Sequence, residues 1–147
     1  MSYAHVLVAL DLSPASNQVM RQAIEIARRF DSRLTLLHAV DYLPPLSFAD
    51  DFTPSPAIVV DEGELIERAR ASLERLADQF GVGADAPRLV VVGSPKEEIL
   101  RTAAERGGDL IVIGSHGRHG LGRLLGTTAT AVLNDAVCDV LAVRISD

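Results

Sequence analysis

Leu110–Asn134 reads LIVIGSHGRHGLGRLLGTTATAVLN, and the fold turns on this stretch. Leu110–Ile113 is an apolar run of strand length. It opens into a turn holding five of the chain's eleven glycines, and a helix-forming stretch follows. No Asp or Glu interrupts the segment, while His116, Arg118, His119 and Arg123 stand among the glycines. Glycines let backbone N–H groups come close to an anion, and a helix N-terminus adds partial positive charge. A strand, a basic glycine turn and a helix in that order are what a phosphate group needs.

The flanking sequence repeats the strand–helix alternation. Val6–Leu10 is apolar throughout, as in a strand buried on both faces. Ser13-Pro14 reads as an N-cap followed by a first-turn proline, opening a helix to about Phe30. Val19, Ala23, Ile26, Ala27 and Phe30 form its inward stripe. Leu34–Val40 is a second strand. Glu64–Phe80 is an amphipathic helix carrying Leu65, Ile66, Ala69, Leu73, Leu76 and Ala77 at helical spacing, stopped by Gly81 and Gly83. Arg88–Val92 is a third strand. Ser94-Pro95 with Glu97 resembles a capping box and opens a helix to about Arg106. A helix from about Leu124 to Ala136 and a strand Val140–Ile145 close the chain. Between them, Asp41–Val60 holds Pro44, Pro45, Pro54 and Pro56 and reads as a long loop, with Tyr42, Phe48 and Phe52 placed to cover a helix end or a ligand.

The expected order is βαβ, loop, αβαβαβ, which argues for a parallel sheet with helices on both faces. In such sheets ligands sit at the carboxyl ends of strands, where the strand order reverses. The candidate turns are Ala9–Ser13 and Gly114–Arg123, which share one crevice if the first and fourth strands are neighbours.

Composition narrows the partners. The chain has 147 residues, 48% of them apolar, and a net charge of −6, a balance that argues against a general nucleic-acid binder. Cys138 is the single cysteine, so no internal disulfide or zinc cluster is expected, and it reads as a core thiol. The first residues show no secretory signal, and no apolar run approaches a membrane span. A cytoplasmic protein without membrane insertion is the expectation.

Individual residues keep two readings. Asp11 either contacts a ligand or supports the following helix terminus. Arg118 and Arg123 are phosphate partners or solvated loop residues. His116 and His119 form a pair three apart with no evident third metal ligand. His38, in an apolar strand, is expected to be a satisfied core histidine. No GxxxxGK[ST] motif occurs.

The stretches VALDLSPAS (8–16), LLHAVD (36–41), VGSPKEEI (92–99), DLIVIGSHG (109–117) and CDVLAVRI (138–145) together resemble the universal stress protein family, in the family's order and over nearly the whole chain. The resemblance implies one domain over residues 1–147. It implies an α/β, Rossmann-like, doubly wound open sheet of five parallel strands in the order 3-2-1-4-5. It also implies a homodimer through the C-terminal strand, or a higher oligomer built on it. For the subgroup with the motif Gly, two residues, Gly, nine residues, Gly, Ser or Thr, it implies ATP binding. Gly114, Gly117 and Gly126-Thr127 match that motif with eight residues in the long spacer, where Gly120 and Gly122 permit a shorter path.

By the same resemblance Asp11 accepts from ribose or an adenine edge, with Ala9 and Leu10 beside the nucleoside. Ala39 lines the adenine pocket, and Ile113 and Gly114 meet ribose and phosphate. Gly117, Thr127 and Thr128 hold phosphates, with His116, Arg118, His119, Gly120 and Gly126 in the same loop. ATP would bring Mg²⁺ or Mn²⁺ with it. The function implied is ATP-dependent regulation of an unidentified partner protein, through ordering of the glycine turn and the 41–60 loop. The rivals are a nucleotide-free dimeric interaction module and a slow ATPase.

Overall fold

The computed structural model describes residues 2–41, 61–116 and 125–146. In chain order these form β1 (His5–Ala9), α1 (Ser16–Phe30), β2 (Arg33–Val40), α2 (Glu62–Gln79), β3 (Arg88–Val92), α3 (Pro95–Arg106), β4 (Leu110–Gly114), α4 (Thr127–Asp135) and β5 (Asp139–Val143). The five strands pair in parallel in the order β3-β2-β1-β4-β5, as expected. The proline-rich stretch, with Tyr42, Phe48 and Phe52, lies outside the described residues.

The apolar runs are continuous because the central strands are covered twice. Side chains alternate along a strand. Val6, Val8, Leu36 and Val112 therefore meet Met20 and Ala23 of α1 and Leu73 and Ala77 of α2. Leu7, Leu37 and Ile111 point the other way, onto Ile99 and Ala103 of α3 and Val132 of α4. Each fully buried Leu, Ile or Val of this kind contributes roughly 1.5–3 kcal/mol relative to exposure.

Helix starts differ from expectation more than helix faces do. α1 begins at Ser16, because Ser13-Pro14 occupies a tight turn first: Ser16 N–H donates to Ser13 O at 2.9 Å and Gln18 N–H to Ala15 O at 3.0 Å. Asp61, ahead of the expected start, caps α2 by accepting from Gly63 N–H at 3.2 Å. Ser94 makes no side-chain cap for α3, so no capping box forms there. Phe30 does not join the inward stripe: it is exposed and packs edge-on against Tyr3 at a ring separation of 5.3 Å. Cys138 is half-buried rather than deep in the core, and burial, then Asp139 and Asp109, push its thiol up.

The amino ends of β1 and β4 are clamped by one carboxylate. Asp109 accepts from Ala4 N–H at 2.9 Å and His5 N–H at 3.0 Å. Burial pushes its carboxyl up, but donation from the His5, Ala4 and Asp109 N–H groups outweighs this and sets it below its ordinary value of 3.8. A depressed carboxyl stabilises the fold above its unfolded-state value and loses that contribution as pH falls through the folded one. Urea unfolding from pH 7 down to pH ~2 is expected to show this acid loss, with a shallower slope in Asp109→Asn. Equal slopes would assign the acid sensitivity elsewhere.

Candidate functional site

The strand order reverses between β1 and β4, and a cavity of about 520 Å³ opens at their carboxyl ends. That volume lies in the range of small-molecule sites. Val19, Leu37, Ile99, Ile113 and Ile145 give it apolar walls.

One border is the start of α4. Gly126 occupies the N-cap position and offers no capping side chain. Its own N–H donates to Ser115 O at 2.6 Å, which folds the chain back onto the end of β4. Among the described residues the N–H groups of Thr127, Thr128 and Ala129 have no partner, as the first turn of an uncapped helix leaves them. His116 stands beside them with Nδ1 buried and without a hydrogen-bond partner among the described residues. The approach is close: a Cβ on Gly126 would lie 3.1 Å from His116 Cα, and one on Gly114 would lie 3.4 Å from both His116 O and Val19 Cγ2. This corner suits an anion, which would take the free N–H groups and the positive end of the helix.

The other border is the end of β1 and β2. Asp11 Oδ1 accepts from Ser13 N–H at 3.0 Å, Ser13 Oγ at 2.7 Å and Ser16 Oγ at 3.2 Å. Both readings of Asp11 are therefore compatible with one placement: Oδ1 organises the entry to α1 while the residue also borders the cavity. Leu12 follows in a left-handed conformation, φ 61°. His38 is not a core residue. It is half-buried on the cavity wall, with Nδ1 2.8 Å from Leu10 O.

Of the expected site residues, Ala9, Leu10, Asp11, Ala39, Ile113, Gly114, His116, Gly126, Thr127 and Thr128 border this one cavity. Gly117, Arg118, His119 and Gly120, with Gly122 and Arg123, lie outside the described residues. His38, expected in the core, also borders it, as does Ser16, to which the sequence reading gives no role. Position 38 lies two residues past Leu36, on the same strand face, where the covering helix layer gives way to the open end of the sheet.

A model of the universal stress protein family matches residues 2–144. The chain belongs to that family. Universal stress protein A homolog 2 of Coxiella burnetii is 41% identical, over 98% of this chain and 97% of its own length. Among solved structures, that of hypothetical protein MJ0577 superposes with a TM-score of 0.80 at 25% identity, covering 100% of this chain and 99% of the other. A universal stress protein in complex with cAMP superposes with a TM-score of 0.73 at 28% identity, covering 99% and 100%. The family is thus one in which a similar chain holds an adenine nucleotide.

Proposed function

We propose that this chain is a cytoplasmic regulatory protein of one domain that binds ATP in the cavity at the β1–β4 switch point. The observation carrying this reading is the α4 entrance, where the N–H groups of Thr127, Thr128 and Ala129, without a partner among the described residues, open beside a glycine that the His116 backbone approaches closely. Phosphates would take those donors, helped by the Thr127 and Thr128 hydroxyls and the 117–120 segment. Mg²⁺ or Mn²⁺ would enter with the phosphates, screening their charge while keeping several waters.

The base would lie toward β2. There the Ala39 N–H and C=O face the β1 side without a backbone partner among the described residues. A donor beside an acceptor matches N1 and the N6 amino group of adenine. The cAMP complex of a similar chain supports an adenine nucleotide as the class of ligand. Lys96, the chain's single lysine, pairs with Asp135 at 3.3 Å, which favours binding over phosphoryl transfer.

β5 ends the sheet order, so its outer edge is free among the described residues, and Val137 beside it is 92% exposed. An apolar free edge invites pairing with a second copy across a two-fold axis. The nucleotide would then act by binding one conformation of the dimer better than another, changing the surface a regulated partner meets.

Native mass spectrometry of the purified protein, followed by denaturation and chromatography of what is released, tests both parts. The expected result is two chains carrying two nucleotides, released as ATP. Added ATP should also stabilise emptied protein, by about 2.7 kcal/mol at 100 times Kd. A bare monomer with an unmoved Tm at millimolar MgATP would sink the reading.

A further inference from the structure

Alternate residues of β2 bond to opposite neighbours. Leu36 N–H donates to Pro87 O and Val40 O accepts from Gly93 N–H, both at 2.9 Å, so the even positions face β3. Leu37 faces β1, its carbonyl accepting from Leu10 N–H at 2.9 Å. With Ala9 opposite Leu37, a continuing parallel ladder would next pair Ala39 N–H with Leu10 O and Leu12 N–H with Ala39 O. Neither bond forms among the described residues. The Leu10 carbonyl instead meets His38 Nδ1 at 2.8 Å. A carbonyl only accepts, so Nδ1 carries the proton and donates. Leu12, at φ 61°, does not continue an extended strand beside β2.

We infer that His38 is a positioning residue for base recognition: its imidazole engages the Leu10 carbonyl, halts the β1–β2 ladder one rung short, and keeps the Ala39 N–H and C=O open to a ligand. The role rests on the nucleotide reading above and adds a source of selectivity to it. An open donor–acceptor pair at Ala39 fits adenine, whose N1 accepts and whose N6 donates. It opposes hypoxanthine, whose N1 donates and whose O6 accepts. A site built to pair a ligand's polar edge rejects the analogue that leaves its own groups unpaired.

The test has two arms. In protein stripped of nucleotide, amide hydrogen exchange at Ala39 is followed by NMR. The wild type should exchange fast. His38→Leu should slow Ala39 at least about tenfold, because its N–H joins the ladder. His38→Asn, whose amide places a donor near the position of Nδ1, should stay fast. In the second arm, ATP and ITP affinities are compared by calorimetry. His38→Leu should lose about tenfold in ATP affinity and most of its preference over ITP, while His38→Asn stays within about threefold.

A protected Ala39 in the wild type overturns the proposal, and that measurement needs no variant to fold. So does a His38→Leu protein with unchanged exchange or unchanged base preference. Failure of the wild type to bind ATP overturns the base-recognition role together with the function it rests on. The exchange arm would in that case still report whether His38 sets the end of the ladder, so the two failures are distinguishable.

Discussion

Gly126→Glu is expected to lower ATP affinity at least about 100-fold while the sheet stays folded, a loss of about 2.7 kcal/mol in binding. Two effects add. The first is steric: a Cβ at this position would stand 3.1 Å from His116 Cα and 3.4 Å from Ser115 O, which are backbone atoms with little freedom to give way. The backbone itself is not strained, since Gly126 has φ −65° and ψ 160°, open to any residue. The second is electrostatic: the carboxylate would compete for the α4 N–H groups that have no partner among the described residues, and would repel phosphates bound there. Gly126→Ala separates the two, because it adds the Cβ alone. It should cost about tenfold, the remainder belonging to charge. Calorimetry gives the affinities and far-UV circular dichroism checks the fold. Wild-type affinity in the Glu variant would remove the phosphates from this corner.

Much of this arrangement is legible in the chain. Val6–Leu10, Leu34–Val40 and Leu110–Ile113 read as buried strands because both their faces are covered, so no polar alternation dilutes the pattern. Strand order is different: nothing local in β1 states that β4 rather than β3 lies beside it, and the order came from the family resemblance. Helix starts are the weaker reading. Ser13-Pro14 and Ser94-Pro95 look alike in sequence, yet the first sits in a turn organised by Asp11 and the second directly precedes α3, with Pro95 at its head. The side chain that decides the first case lies upstream, where a capping rule does not look.

The site divides the same way. The glycines announce themselves by composition, and Gly126 proves to be a place where the backbone of His116 comes within 3.1 Å of where a Cβ would stand. His38 does not announce itself. Its partner, Leu10 O, is 28 residues away, and the bond exists only because the β1–β2 register brings the two together. A histidine in an apolar strand looks like core until the register shows that the strand has outrun its covering helix layer.

Asp11→Ala should weaken both the fold and the site, and Asp11→Asn should weaken only the site. In the native protein Oδ1 accepts three hydrogen bonds, from Ser13 N–H, Ser13 Oγ and Ser16 Oγ. They hold a turn containing Leu12 at φ 61°, a conformation that costs a residue with a Cβ about 1–2 kcal/mol. Removing the carboxylate leaves that strain without its compensation and the Ser13 N–H without its acceptor, so Asp11→Ala should lose about 1–3 kcal/mol in urea unfolding. Asn preserves a carbonyl oxygen in the place of Oδ1 and should stay within about 1 kcal/mol of the wild type. Its amide group, standing where Oδ2 was, donates and cannot accept. If Oδ2 receives a ribose hydroxyl, Asp11→Asn should bind ATP about tenfold more weakly, and 2′,3′-dideoxy-ATP should bind the wild type and the Asn variant nearly alike. Wild-type ATP affinity in a stable Asp11→Asn protein would confine Asp11 to the turn. Because the Asn variant holds the turn constant, a binding loss there cannot be a folding loss, and the two roles of one carboxylate become separately measurable.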